Sequence, residues 1–375
     1  MRVTTLATVA SVVLFGIPAA AQDVHIDVDL GELQQQVEMQ LQAVMQQTGA
    51  FERVREALER QGREFQRQID RQRLRFSGPE FTDNFSKTVR LGRSGSFALS
   101  NIAGDITITG GGGDDVRIQA VKRVRRPNEN EARALLRDID IQVIERSGFV
   151  EVRTALPSRR NVSAVVDYTV ALPSAANVDV KTVSGTVRVS NVRGELRAES
   201  ISGDVTAASV TRVRALRSLS GNIELSDADG DEIAANTASG SVMARNVKAR
   251  SLEFESVSGD MRFTETQSDR VTLKTISGNI DYGGRLARSG RYDMTSHSGN
   301  VRIAPIGAVA FDLEASTFSG DVRSDFPLTL RGGGIGNGFT GGGPRLNRTI
   351  RGSIGDGGAL LSIRSFSGNV VIVKR

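Results

Sequence analysis

Serine-glycine pairs are the feature of this chain whose residue types and spacing first suggest chemistry. Each pair is followed by Asp, Asn, Ser or Thr and then by an apolar residue, as in the stretch from Ser277 to Ile280. Such a serine could be a nucleophile, such a glycine could cradle a phosphate, and the same pair could form a turn. The pairs are Ser184-Gly185, Ser202-Gly203, Ser220-Gly221, Ser239-Gly240, Ser258-Gly259, Ser277-Gly278, Ser298-Gly299, Ser319-Gly320 and Ser367-Gly368.

The surroundings of these serines argue against nucleophilic catalysis. A serine elbow requires Gly-x-Ser-x-Gly and a histidine that accepts the proton. Here the serine precedes the glycine, the chain has no cysteine, and its two histidines are His25 and His297. His297 comes directly before Ser298, where the other repeats have an apolar residue, so we expect a tolerated substitution there. The sequence therefore predicts no catalytic residue.

Phosphate and metal sites are also disfavoured. The stretch GGGIGNG at 332–338 lacks the Gly-Lys-Ser/Thr ending of a phosphate loop, and GGGGDDV at 110–116 is a single copy of what calcium repeats use in tandem. Asp204, Asp260 and Asp321 follow Ser-Gly pairs three repeats apart. At about 4.8 Å per repeat they would lie roughly 14 Å apart, too far to share a calcium ion. We expect no cofactor and no metal site.

The elements that carry the pairs form a repeat. From Ser184 to Ser319 the spacings are 18, 18, 19, 19, 19, 21 and 21 residues, and a period near 20 indicates a repeat architecture. Apolar residues stand four positions before and three positions after each serine. A hydroxyl residue stands two positions before it. This hydroxyl column is Thr182, Ser200, Ser218, Thr237, Ser256, Thr275, Ser296, Thr317 and Ser365.

Alternate apolar positions indicate short strands whose side chains stack from one repeat to the next, while glycine and Asp or Asn suit a tight corner. Hydroxyl ladders would satisfy corner amides and carbonyls. The sequence therefore predicts an all-β fold, a single-stranded parallel β-helix (β-solenoid) of about 19-residue coils. In this interpretation every Ser-Gly pair is a structural turn.

Domain boundaries follow from changes in pattern. Residues 86–178 form an N-terminal β section with one short helix, which Asn128 caps, and a hairpin around Ser147. Residues 179–375 hold the solenoid repeats, with a Gly-rich insertion at 331–347. The last strand returns to the ladder, and we expect the terminal Lys374-Arg375 to protect an open edge.

Residues 1–21 resemble a signal peptide. Arg2 precedes the apolar stretch 9–17, and Ala19 and Ala21 form an A-x-A site, so cleavage is expected after Ala21. The mature protein would then be exported from the cytoplasm, to a periplasm, the cell surface or the medium.

Residues 22–85 are expected to form a helical, coiled-coil-like arm followed by a linker at 76–85. Three interpretations of residues 30–75 stay open: a helix docked on its own domain or partly disordered, a weak coiled coil that oligomerises, and an interfacial helix in peripheral contact with a membrane. The second apolar position of each heptad is glutamine in four of six cases, at Gln40, Gln47, Gln61 and Gln68, which weakens a coiled coil. The apolar residues seven apart are Leu30, Val37, Val44, Phe51, Leu58 and Phe65.

Charge narrows the choice of partner. The formal net charge is +5, from 48 basic and 43 acidic residues, with a pI near 9.8. This is mixed charge without a polybasic tract, so in an exported protein we expect no nucleic-acid partner. Anionic polysaccharide, lipid headgroups, an acidic protein surface or plain solvent are all compatible with it.

Several repeat units resemble a known family. The stretches NIAGDITITG, TVSGTVRV, SISGDVTA, SVSGDMRF, TISGNIDY and FSGNVVIVK, spread over residues 86–375, resemble the bacterial exported proteins grouped as a candidate-adhesin domain of unknown function. The resemblance implies a β-solenoid with no known catalytic residues. The arm at 30–75 lies outside it.

The function expected from the sequence is a non-catalytic exported scaffold or adhesin-like binding module of the cell envelope. Its partner would be an unknown envelope protein, polysaccharide or surface ligand. The alternative is a polysaccharide-acting β-helix enzyme, which needs clustered acids and long loops that frame a groove. The repeats are short and regular, and the chain has no Trp to serve as a sugar platform.

Overall fold

The computed structural model describes residues 79–157, 164–307, 310–330 and 348–374. These residues form one connected sheet of 23 strands and one helix, which confirms the all-β prediction. The strands of the first part are β1 Glu80–Arg90, β2 Ser96–Ala103, β3 Ile106–Gly111, β4 Asp115–Arg125, β5 Asp140–Arg146, β6 Phe149–Ala155 and β7 Ala164–Pro173, with helix α1 Glu129–Asp138. Those of the repeats are β8 Asn177–Ser184, β9 Val187–Ser190, β10 Leu196–Ser202, β11 Val205–Thr211, β12 Val213–Ser220, β13 Ile223–Ser239, β14 Val242–Ser258, β15 Met261–Ser277, β16 Ile280–Ser298, β17 Val301–Pro305, β18 Phe311–Ser319, β19 Val322–Ser324, β20 Thr329–Leu330, β21 Arg348–Ile354, β22 Ala359–Ser367 and β23 Val370–Ile372.

Strands of successive repeats pair in parallel. In β13, β14 and β15, Ile223 pairs with Val242 and Val242 with Met261, partners 19 residues apart. Each repeat has a leading side, which follows a Ser-Gly pair, and a trailing side, which precedes the next pair. Strands β9 and β11 continue the leading side, whereas β8, β10 and β12 continue the trailing side.

The core is built from the two apolar columns that the sequence indicated. All nine residues four positions before the serines are buried, from Val180 to Ile363. Of those three positions after the serines, eight are buried and Val322 is partly buried. One repeat supplies few core side chains, so its stability depends on the repeats stacked on either side.

The N-terminal end makes the sheet mixed, which corrects the prediction of a purely parallel β-helix. Strand β4 pairs antiparallel with both β1 and β7, and β5 and β6 form the predicted antiparallel hairpin. A purely parallel ladder would expose an unpaired edge here, and these antiparallel strands cover it. Strand β1 begins at Glu80, inside the segment 76–85 that the sequence suggested as a linker, because Phe81 and Phe85 pack on the core.

Helix α1 confirms the predicted helix and its cap. The Asn128 side chain accepts a hydrogen bond from the Asn130 amide at 2.9 Å, which satisfies a free amide of the first turn. Ala132, Leu135 and Leu136 are buried on one face of the helix.

The C-terminal strands are out of spatial order. Ser367 of β22 pairs with both Ser298 of β16 and Ser319 of β18, so the last repeat is inserted between the two that precede it in the chain. Strand β23 lies in the same way between β17 and β19. The prediction that Lys374 guards an open edge is therefore wrong. Beyond β18 the sheet continues instead through antiparallel β21 and β20.

The three tyrosines of the chain are all buried. Tyr168 shares a 2.7 Å hydrogen bond with the Thr154 hydroxyl, and burial raises its pKa to about 12. Tyr292 donates to the Ser268 carbonyl at 2.7 Å. Tyr282 has no hydrogen-bond partner within the described residues, and burial raises its pKa well above the usual value.

We predict that no tyrosine ionises in the folded protein near pH 10, the usual pKa of the phenol. Burial gives the phenol a higher pKa in the folded protein than in the unfolded chain, where it is near 10. The stability that the neutral phenol contributes is therefore complete below about pH 10 and is lost as the pH rises towards the folded-state pKa, about 12 for Tyr168. Tyrosinate absorbance should therefore rise only together with loss of the far-ultraviolet circular dichroism. A phenol that titrates near pH 10 with an unchanged dichroism spectrum would contradict the prediction.

Candidate binding surface

The structure brings the predicted Ser-Gly turns together in one column. Each serine is the last residue of its strand, and each glycine lies directly on the glycine of the neighbouring repeat. A Cβ atom on Gly240 would come within 2.1 Å of the Gly221 carbonyl oxygen. The Gly221 amide in turn donates to the Ser239 carbonyl at 3.0 Å. Any larger residue would therefore force the repeats apart.

The hydroxyl column is buried and bonds the glycine column. Ser218 donates to the Gly203 carbonyl at 2.9 Å, and Thr237 donates to the Gly221 carbonyl at 3.0 Å. Thr182 and Thr275 are the exceptions, because their hydroxyls have no partner within the described residues. The same bond to a neighbouring glycine is made by Ser200, Ser256, Ser296, Thr317 and Ser365.

The Asp and Asn residues after the glycines form a third ladder that sequence reasoning missed. The Asp204 side chain accepts from the Asn222 amide at 2.7 Å, and the Asn222 side chain accepts from the Ser241 amide at 2.9 Å. The sequence suggested only that these residues tolerate a turn. Because Asn369 enters the column between Asn300 and Asp321, the predicted three-repeat spacing of the aspartates fails at its last step.

Sequence reasoning also missed a second corner, at which one residue of each of five repeats has a left-handed backbone. Asn191, Ser209, Asp227, Asn246 and Glu265 all have φ between 51° and 59°, the left-handed region in which Asn and Asp are enriched. Asn246 donates to the Asp227 carboxylate at 2.7 Å. Their spacing of 18 or 19 residues was the available signal.

One apolar column faces outward, at the position directly before each Ser-Gly pair. It lies one residue out of phase with the core columns, so strand alternation turns it to the surface. Only its ends are exposed, at 40% for Ile102, 43% for Phe366 and 51% for Phe318, while the members between them are half-buried and Ile276 is buried at 8%. We call this set the outer column. In spatial order it is Ile102, Val183, Ile201, Leu219, Ala238, Val257, Ile276, His297, Phe366 and Phe318.

The outer column ends in a stack of three rings. The ring centroids of His297 and Phe366 lie 4.8 Å apart with planes at 10°, and those of Phe366 and Phe318 lie 4.8 Å apart at 3°. His297, expected to be a tolerated substitution, is thus a member of this stack. The inner ring faces cover one another, so the stack offers mainly ring edges to a ligand.

Charges of alternating sign flank the outer column, two residues earlier on the same outward face. Glu199 lies 4.0 Å from Lys181 and 3.8 Å from Arg217, and Lys274 lies 2.8 Å from Glu255. The Glu199 side chain is only 6% exposed. These charges are paired along the ladder, which leaves apolar surface as the main feature of this face.

Two further features, a metal-binding cluster and a membrane-spanning helix, are absent from the part of the chain that the structure describes. No cluster of three or more His, Asp or Glu side chains in it could hold a metal ion. Its helix is also too short and too polar to cross a membrane. The predicted signal peptide at 1–21, His25, the predicted arm at 30–75 and the glycines at 332–338 lie outside the described residues.

Fold and surface together define a β-solenoid-like repeat protein with an outward apolar column. Residues 105–372 match the family model Toastrack DUF4097, and the chain belongs to this family, a bacterial domain of unknown function. This match confirms the family resemblance seen in the sequence. No curated protein matches the chain.

Three solved structures resemble the chain distantly. A candidate cell adhesion protein from Clostridium sporogenes has 12% identity and a TM-score of 0.21, over 79% of this chain and 100% of its own. A candidate lipid binding protein from Parabacteroides distasonis has 11% identity and a TM-score of 0.43, over 78% and 97%. A candidate adhesin from Bacteroides fragilis has 10% identity and a TM-score of 0.36, over 80% and 99%. These likenesses are too distant to transfer a ligand.

We predict that Gly240→Ala lowers the free energy of unfolding by at least about 3 kcal/mol, because the new methyl group would overlap the Gly221 carbonyl. The Gly240 backbone lies outside the left-handed region, so this overlap alone decides the effect. Gly112→Ala is the matched control, since nothing lies within 4 Å of its added Cβ. Urea unfolding measures both, and equal stabilities would contradict the glycine stack.

We predict that Thr237→Val and Thr275→Val differ although both residues occupy the hydroxyl column. The first removes a 3.0 Å bond and leaves the Gly221 carbonyl without it, which should cost about 1 kcal/mol. The second removes a buried hydroxyl that has no partner, so stability should be unchanged or rise. Chemical denaturation of the two variants tests this, and an equal loss in both would refute it.

Proposed function

We propose that this protein is a non-catalytic, exported scaffold or adhesin-like binding module of the bacterial cell envelope. In this proposal its repeats wind as a β-solenoid of coils of about 19 residues, in line with the 19-residue register of β13 to β15. Export rests on the signal-peptide pattern at 1–21.

The observation that carries the proposal is the outer column with its aromatic end. Exposed apolar side chains are common singly, but two adjoining exposed rings, Phe366 and Phe318, at the end of a half-buried apolar row are typical of an interaction surface. The three ladders fix the backbone under this row. Binding would therefore cost little ordering of the surface, which favours affinity.

The polar groups around the row favour binding over catalysis. Asp204 and Asp260 use a carboxylate oxygen to accept an amide of the next repeat, and Glu255 is paired with Lys274. A polysaccharide-acting enzyme needs two carboxyl groups free to act as acid and base or nucleophile. The contact that this face offers is apolar, with ring edges at one end.

We predict that replacing both exposed phenylalanines, as Phe318→Ser with Phe366→Ser, lowers capture of envelope partners at least tenfold. Each change removes apolar contact worth about 1.4 kcal/mol or more, which corresponds to a factor of ten. The mature chain is immobilised, incubated with solubilised native envelope, and the retained proteins are quantified by mass spectrometry.

Met243→Ser is the matched control, because Met243 is 45% exposed but lies on the leading side of its repeat. It should leave capture unchanged, and thermal unfolding should verify that all variants fold. Equal capture by wild type and the double variant would overturn the aromatic end as the binding surface.

A further inference from the structure

We propose that the outer column is a self-association surface, on which a second copy of this chain packs antiparallel about a two-fold axis through Ala238. This inference rests on the proposed function, since it names the partner of that binding surface. In a two-fold interface the same patch serves both copies, so each repeat on one side of the axis meets a counterpart on the other side.

Charge complementarity selects this axis. With Ala238 facing its own copy, Glu199 comes opposite Lys274 and Arg217 comes opposite Glu255. The two-fold symmetry repeats both pairs, which gives four contacts between opposite charges. All four residues lie two positions before the outer column. Arg217 and Glu255 are 32% and 38% exposed, whereas Glu199 is 6% exposed and already paired within its own chain, so the opposition of Arg217 and Glu255 carries the charge argument.

Neighbouring registers are electrostatically unfavourable. A shift of the partner by one repeat in one direction places Glu199 opposite Glu255 and Lys181 opposite Lys274. A shift in the other direction places Arg217 opposite Lys274. Like charges at an interface oppose binding, so of these three registers, which bring the most repeats into contact, only the one centred on Ala238 avoids the clashes.

Side-chain size fits the same axis. Ala238 is the smallest residue of the outer column, and sheets that pack face to face cross at about 30°, so they approach most closely at the axis. On either side of it, Leu219 meets Val257 and Ile201 meets Ile276. The largest side chains therefore meet away from the point of closest approach.

A further outward column, five positions before each serine, is compatible with this arrangement. Ala234 faces its own copy on the axis, which also permits close approach. The one opposition of like charges there joins Asp179 and Asp293, three repeats from the axis. Asp293 is already paired with Arg291 at 2.8 Å.

The area is that of a modest dimer. Nine repeats at about 4.8 Å and three outward columns about 6.6 Å apart span roughly 40 Å by 20 Å. This is close to the ~800 Å2 per partner of a standard interface. The tenth position, Phe318, extends past the partner, so the second copy does not cover it.

Crosslinking tests the axis directly, because the chain has no cysteine and a single introduced thiol is unique. Facing sheets lie about 10 Å apart, too far for a disulfide but within reach of a short bis-maleimide. Ala238→Cys in the mature chain should yield a covalent dimer at least tenfold faster than Met243→Cys. Equal rates would overturn the proposal.

Charge reversal tests the register. Glu255→Arg should raise the dimer dissociation constant at least tenfold in analytical ultracentrifugation, because it faces Arg217 of the other copy. Adding Arg217→Glu should restore dimerisation. A purely structural role predicts instead that the double variant is worse than either single one, since each change also disturbs ion pairs within its own chain.

The outcomes separate this inference from the proposed function. A wild-type mature chain that stays monomeric, or a dimer that Ala238→Arg does not weaken, would overturn self-association on this face. Envelope capture that still depends on Phe318 would leave the proposed binding function standing. Dimerisation without any capture would support self-association and count against binding of an envelope partner.

Discussion

The fold depends on contact between the glycine backbones of adjacent repeats. Seven of the glycine carbonyls accept a hydrogen bond from a hydroxyl of the adjacent repeat, and eight of the glycine amides donate to a serine carbonyl there, so the corner has no room for a side chain. The hydroxyl column and the Asp and Asn ladder bond the same corner from inside and outside. This explains why the hydroxyl residue, the serine, the glycine and the following Asp or Asn recur together. Each of them contacts the neighbouring repeat, and this structural role accounts for the pattern without any catalytic role.

A fixed corner also determines what the protein shows to its surroundings. The residue before each serine is turned outward and held in register with its counterparts, so side chains that would be unremarkable singly become a continuous apolar row. Neighbouring polar groups are already satisfied within the ladder or by ion pairs. The surface is therefore distinguished by its apolar strip and aromatic stack rather than by an unsatisfied charge.

The two ends solve the edge problem of a parallel ladder in different ways. At the N-terminal end, antiparallel β4 and β1 lie beyond β7, and the hairpin of β5 and β6 covers β2. At the other end the final repeat, β22 and β23, is inserted inside the ladder, and antiparallel β21 covers β18. Local repeat patterns hold no information about such choices, because any repeat offers the same pairing groups.

The sequence by itself determined the all-β class, both core columns, the helix capped by Asn128 and the alignment of the Ser-Gly pairs from repeat to repeat, since each follows from local geometry and a short period. The outer column is also visible in the sequence, one position before each serine. Strand alternation points it to the face opposite to that of Val180 and the other core residues, but hydrophobicity alone does not tell an inward column from an outward one. Only the tertiary structure decided the order of the last repeats and the stacking of His297 on Phe366. Those depend on which of several equivalent edges meet, a long-range choice that residue spacing does not encode.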